Sequence, residues 1–183
     1  MLHSFVLANL PNLVSLTRLA LTPIAVSMIV SQRYVEAFLV FIVAGLSDAV
    51  DGFIAKRFRL VSELGAYLDP LADKALLISI YVSLAIVGQL WPSVAILVVS
   101  RDIMIVAAVL VAWLLQKPMD IRPVWVSKFN TVAQIALAGS ALGARAYGVE
   151  AQTWLSGMSF LVAGSTLASA GVYLGQWLAH MSR

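Results

Sequence analysis

The chain has 183 residues, 61% of them hydrophobic and 11% charged, with a formal net charge of +3 and no cysteine. Soluble domains hold about 45–50% apolar and about 25% charged residues, so a chain of this length could not hide so much apolar surface from water. One unit spanning residues 1–183 fits the length, while a disulfide scaffold, thiolate chemistry and a nucleic-acid footprint are excluded by the absence of cysteine and the small, scattered charge.

The fold class expected is an all-α integral membrane protein, with about 20 residues per crossing. The first ten residues lack a basic n-region, so no cleaved targeting peptide is expected. In chain order, hydropathy and breakers predict six transmembrane helices over 10–32, 35–56, 64–88, 92–116, 126–146 and 151–179. The connections are Ser31–Arg33, Arg57–Glu63, Gly88–Pro92, Lys117–Trp125 (which contains Pro118 and Pro123) and Tyr147–Glu150. Lys56, Arg57, Arg59, Lys117, Arg122, Lys128 and Arg183 fall on one side, and Arg33 and Arg145 on the other. The positive-inside rule places the first group and both termini in the cytoplasm. Residues 151–182 contain no Lys, Arg, Asp or Glu, which a water-facing helix would not tolerate. Gly139-Ser-Ala-Leu-Gly143 and Gly171-Val-Tyr-Leu-Gly175 are small-xxx-small pairs, marks of close helix packing within the bundle or between protomers.

Charge interrupts the spans in a pattern. Asp48 and Asp51 stand near the cytoplasmic end of the second helix, and Asp69 and Asp73 near the cytoplasmic start of the third. Steps of three and four put each pair on one helical face, and the short Arg57–Glu63 connection predicts that the two helices are antiparallel neighbours. Each aspartate in a span costs about 2.5–3.5 kcal/mol on insertion scales, roughly 10–14 kcal/mol for four before compensation. Lys56, Arg57 and Lys74 offset part of this if the cluster is a salt-bridged rim. Four carboxylates on two facing stripes instead favour a cation between them, and oxygen ligands without His or Cys select Mg²⁺ or Mn²⁺, with room for two ions. The natural client is a pyrophosphate. Gly52, Ala55 and Gly65 continue the same stripes, either for helix packing or to leave room for a flat group such as a nucleobase.

Asp48-x-x-Asp51-Gly52-x-x-Ala55-Lys56, eight residues, Gly65-x-x-x-Asp69-x-x-x-Asp73 resembles the signature of the CDP-alcohol phosphatidyltransferases, matching seven of eight fixed positions over 26 residues. The departure is Lys56, where that family has Arg, a planar fork that grips phosphate through two bonds. The resemblance implies six transmembrane helices, a cytoplasm-facing polar cavity and a homodimer; the location expected is a bacterial inner membrane with the active site facing the cytoplasm. It implies that Asp48, Asp51, Asp69 and Asp73 bind two divalent ions, with Asp73 doubling as the base for the acceptor hydroxyl. The CDP of a CDP-diacylglycerol donor lies, by the same resemblance, over Gly52 and Ala55 near Lys56, with Ser62 and Asn12 as further contacts. Leu10-Pro11-Asn12-Leu13 with Arg18 is similar to the family's first-helix entrance.

The acceptor is read from the later helices. Arg101-Asp102 interrupts the fourth helix, either as a self-neutralising pair or, with Lys128, as cations for an anionic acceptor headgroup. Ser100-Arg101-Asp102-Ile103 and Arg122–Thr131 resemble cardiolipin synthases of mitochondrial type, whose acceptor is phosphatidylglycerol. Phosphatidylglycerophosphate synthases, acting on glycerol 3-phosphate, are similar but tend to have Glu after the Arg and a basic residue at the place of Asn130. The expected activity is phosphatidyl transfer with release of CMP, from CDP-diacylglycerol to a lipid or polyol acceptor. A divalent-cation transporter and a purely structural membrane subunit are the rivals. The aspartates sit at one end rather than along a passage, which weighs against the first, and their insertion cost weighs against the second.

Overall fold

The structure is a computed structural model describing the backbone of residues 2–58, 63–116 and 125–182, and the side chains of 16–47, 72–108, 111–112, 114–116 and 125–182. Among the described residues all regular structure is helical: α1 Leu2–Val30, α2 Tyr34–Phe58, α3 Glu63–Ile86, α4 Pro92–Leu114, α5 Trp125–Ala146 and α6 Gln152–Met181. Five starts fall within one residue of expectation, and the exception is α1, which begins at Leu2 rather than residue 10. Pro11 reads as a first-turn residue because its fixed φ and missing N–H suit that place. The helix instead runs through it, since Leu2, Phe5, Val6 and Leu10 already recur at helical spacing.

Left-handed residues set the ends of α1 and α3. Gly88, at φ 73°, closes α3: its N–H donates to Ala85 O at 3.1 Å, and the Gln89 N–H donates to Leu84 O at 2.8 Å. Gln32 does the same after α1 at φ 58°, with the Arg33 N–H on Met28 O at 2.8 Å. A glutamine there lacks glycine's freedom, yet the break falls in the Ser31–Arg33 connection expected from the sequence.

Among the described residues the helices close a ring in the order α1–α2–α5–α6–α4–α3, and α3 also meets α5 across the middle. Ile29, Ile80, Tyr81, Leu84, Val94, Val98, Leu137, Leu142 and Val162 fill the interior. The Tyr81 hydroxyl donates to the carbonyl of Gln134 at 3.0 Å, which satisfies its polar end inside that core. Large apolar side chains cover the outside, including Ile86, Ile96, Leu114, Trp125, Val132 and Phe160, while Arg101, Asp102, Asn130, Gln134, Thr166 and Ser169 are buried. An apolar exterior around a core that also buries charged and polar side chains is the distribution expected of a bundle in lipid. By length and composition α6 can cross a membrane; Leu16–Val30 and Tyr34–Ser47 are shorter apolar stretches, and no other described helix passes the same test.

The first glycine pair packs inside the bundle. A Cβ at Gly139 would stand 3.3 Å from the Phe41 ring, and one at Gly143 would stand 3.3 Å from the Phe38 ring. Gly171 and Gly175 meet nothing within 4 Å. Gly139→Leu and Gly143→Leu are therefore expected to destabilise by about 1–3 kcal/mol through overpacking against α2. Gly45→Leu, where a Cβ also meets nothing within 4 Å, should change little. Unfolding in mixed micelles measures the difference, and equal losses at positions 45 and 139 would contradict the packing assignment.

Candidate active site

The helical backbone of α2 and α3 runs through the aspartate motif, so the register expected for Asp48, Asp51, Gly52 and Ala55, and for Gly65, Asp69 and Asp73, is present. The side chains of Asn12, Asp48, Asp51, Ala55, Lys56 and Asp69 and the surroundings of Gly52 lie outside the described residues, and Ser62 lies wholly outside them. The same holds for the convergence of the two aspartate pairs. Among the described residues α1 and α5 each pack against both α2 and α3. The ends of α2 and α3 nearest the Arg57–Glu63 connection, where that neighbouring is expected, lie outside the described side chains.

Asp73 is described, and it is not alone. Its carboxylate Oδ1 is paired with Nη1 of Arg18, whose side chain is 4% exposed while that of Asp73 is 46% exposed. Thr22 Oγ1 donates to the Arg18 carbonyl at 3.0 Å one turn on, within the α1 helix that packs along α3. A guanidinium buried among apolar helices needs an anion beside it. Arg18 therefore fixes one oxygen of Asp73 while the carboxylate stays open to the outside. The sequence placed Arg18 near the entrance without a partner, because the pair joins residues on different helices. Among the described residues no three His, Cys, Asp or Glu come together, and of the four motif aspartates only Asp73 belongs to that set. The donor chemistry of the motif, carboxylate oxygen throughout, fits a hard divalent ion.

A second polar centre adjoins the first in the chain. Lys74, next after Asp73, holds Asp102 Oδ2 with its Nζ at 2.6 Å. The other oxygen of Asp102 accepts from Arg101 Nη1 at 2.7 Å. Arg101 Nη2 donates to Ser127 Oγ at 2.5 Å and to Ser169 Oγ at 2.7 Å, and its guanidinium carbon lies 5.5 Å from the Tyr173 ring centroid. Arg101 and Asp102 are both buried, while Lys74 is part-exposed. Thus α3, α4, α5 and α6 each contribute to one charged network. Lys74 compensates Asp102 rather than a motif aspartate among the described residues.

Beside this network lies a cavity of about 590 Å³ whose polar lining is Lys74, Arg101, Asp102, Ser127, Thr131 and Tyr173. Of the two cations read as acceptor contacts, Arg101 reaches this cavity. Lys128 does not line it: its Nζ stands 5.0 Å from the ring centroid of Trp125, on its own helix. Asn130 is buried and its Oδ1 accepts from Ser165 at 2.8 Å and Thr166 at 2.9 Å, which ties α5 to α6. Lys74, expected only as an offset to the aspartate cluster, lines the cavity. Its position directly after Asp73 was the available signal.

The sequence profile of the CDP-alcohol phosphatidyltransferase family matches residues 8–168. The chloroplastic CDP-diacylglycerol–glycerol-3-phosphate 3-phosphatidyltransferase 1 of rice is 36% identical over 183 aligned residues, covering 90% of this chain and 56% of the rice protein. The CMP-forming cardiolipin synthases of rat and human are each 33% identical over 181 residues, covering 90% of this chain and 60% of each relative. The chain therefore spans between 56% and 60% of the length of these relatives.

Proposed function

The chain belongs to the CDP-alcohol phosphatidyltransferase family, and on that footing we propose that it transfers a phosphatidyl group from CDP-diacylglycerol to an alcohol acceptor and releases CMP. The observation that carries this reading is Asp73, the last aspartate of the motif, standing part-exposed on α3 with one oxygen fixed by the buried Arg18. A carboxylate held in this way is oriented to take a proton from the acceptor hydroxyl. The hydroxyl oxygen then attacks the β-phosphorus of the donor, the bond to the CMP oxygen breaks, and the proton resides on Asp73.

Asp48, Asp51, Asp69 and Asp73 are the residues that would hold two Mg²⁺ or Mn²⁺ ions. Bound there, such ions supply charge neutralisation on the pyrophosphate and on departing CMP. Asn12, Gly52, Ala55, Lys56 and Ser62 form the donor site in this reading. The acceptor is phosphatidylglycerol, making the chain a cardiolipin synthase, supported by the Arg101-Asp102 pair and by the similarity to the rat and human synthases. Glycerol 3-phosphate is the alternative acceptor, favoured by the name of the rice relative. Six spans with both termini in the cytoplasm, a bacterial inner-membrane location with the active site facing the cytoplasm, and a homodimer complete the proposal. The apolar exterior and the distribution of basic residues support the topology, and the dimer rests on the family resemblance.

The metal reading is tested by CMP release from CDP-diacylglycerol with Mg²⁺ or with excess EDTA. Release is expected to vanish in chelator and to return with either metal. Asp48→Asn, Asp51→Asn and Asp69→Asn should each lower metal affinity together with rate. Full turnover in EDTA would remove the metals from the account, and wild-type rates in any one variant would leave that residue a rim charge.

The donor site has its own test at position 56. Lys56→Ala should weaken donor affinity by about 1.5–3 kcal/mol, as for a hydrogen bond to a charged group, while Lys56→Arg is tolerated. Donor KM for alanine at 56 and at 57 separates the two cations, and an increase confined to Arg57→Ala would transfer the phosphate contact to that residue.

A further inference from the structure

We propose that the cavity between α3, α4, α5 and α6 seats a lipid acceptor, with an anionic phosphodiester headgroup on Lys74 Nζ and an acyl chain along Ile78, Ile103, Ile105 and Val106. The inference rests on the phosphatidyl-transfer reading above and adds to it the seat, the contacting cation and the requirement for a chain.

Three features of the cavity carry it. Its charged end combines two cations with one carboxylate, a net attraction for a single negative charge. Arg101 is largely committed, with Nε and Nη2 on Ser169 and Ser127 and Nη1 on Asp102. An ammonium has three hydrogens, and Lys74 gives one to Asp102, leaving donors directed by that bond for a phosphate oxygen. Asp102 is in this sense a positioning residue: it holds Lys74 at the cavity and is itself held by Arg101.

The rest of the wall is apolar and open at the side. Ile78, Ile103, Ile105 and Val106 line it, and Ile103 and Val106 are 61% and 59% exposed. A volume of about 590 Å³ admits a headgroup with the first part of a chain. A lateral apolar opening suits a molecule that arrives from lipid, whereas a small water-soluble polyol phosphate has no group to place against it. Lys74 follows Asp73, the proposed proton acceptor, on α3; Asp73 faces Arg18 of α1 and Lys74 faces Asp102 of α4, so the cavity opens beside the proposed base rather than onto it.

The test uses the full chain in nanodiscs of neutral lipid, with dioleoyl phosphatidylglycerol or its deacylated form, glycerophosphoglycerol, as acceptor. Val106→Trp, at a position already exposed, should raise the KM for dioleoyl phosphatidylglycerol by about 10-fold or more, the scale of a pocket misfit. The KM values for CDP-diacylglycerol and for the deacylated acceptor should stay within about twofold. Lys74→Ala should raise the KM for both acceptors about 10-fold or more, with kcat changed far less, and Lys74→Arg should recover most of the loss. Retention of phosphatidylglycerol by the wild type and its loss in Lys74→Ala, read by native mass spectrometry, checks the seat without turnover. An unchanged phosphatidylglycerol KM in Val106→Trp, or a shift confined to the donor, would overturn the proposal. If the wild type retains phosphatidylglycerol through Lys74 yet releases no CMP, the seat stands and the proposed reaction falls. If CMP is released with glycerol 3-phosphate while phosphatidylglycerol neither binds nor reacts, the family chemistry stands and the seat falls.

Discussion

Asp73→Asn is expected to lower turnover by about 10²- to 10⁴-fold, the range for removing a positioned general base. The amide keeps an oxygen that can accept a hydrogen bond from Arg18, so the α1–α3 contact around residue 73 should persist. It has no carboxylate to take the proton from the acceptor hydroxyl. Donor affinity, measured by equilibrium binding of CDP-diacylglycerol, should fall far less than kcat, a loss placed mainly in the chemical step. A variant that binds donor poorly but turns over normally at saturation would make Asp73 a binding residue only.

Asp102→Ala is expected to have the largest effect on stability. Asp102 is 5% exposed and sits between Lys74 Nζ and Arg101 Nη1. Its removal leaves the Arg101 guanidinium buried with hydroxyl partners and the Tyr173 ring but no carboxylate. Breaking a buried ion pair from one side costs about 3–5 kcal/mol, because the remaining charge is uncompensated. Reversible unfolding in mixed micelles measures this. The double variant Arg101→Leu/Asp102→Leu should recover part of the loss, since removing both charges leaves none unpaired. A loss below about 1 kcal/mol for Asp102→Ala would show that Arg101 is solvated where it sits, contrary to its burial.

Much of this was legible in the residues. Gly88 and Pro92 bracket the α3–α4 turn as glycine and proline chemistry require, and steps of three and four placed the aspartates in register on α2 and α3. The Arg101-Asp102 pair was legible as neutralisation, and the two side chains do meet. Partners distant in sequence were not legible. Arg18 with Asp73, Lys74 with Asp102 and Arg101 with Ser169 join different helices, and helical periodicity fixes faces without naming what those faces meet. The packing of α1 and α5 each against both α2 and α3 was unread for the same reason. A short connection limits how far two helix ends lie apart, but it does not name the helices that pack beside them further along. The break at Ser31–Arg33 was legible as well, although its left-handed residue is a glutamine rather than a glycine.

Product identity tests the central claim most directly. Purified protein is incubated with CDP-diacylglycerol labelled in its phosphatidyl group, Mg²⁺ and either phosphatidylglycerol or glycerol 3-phosphate, and the lipids and CMP are resolved. The account predicts CMP in equal amount to labelled cardiolipin with phosphatidylglycerol. Labelled phosphatidylglycerophosphate formed only with glycerol 3-phosphate would contradict the acceptor, and intact donor with no CMP under either condition would contradict phosphatidyl transfer itself.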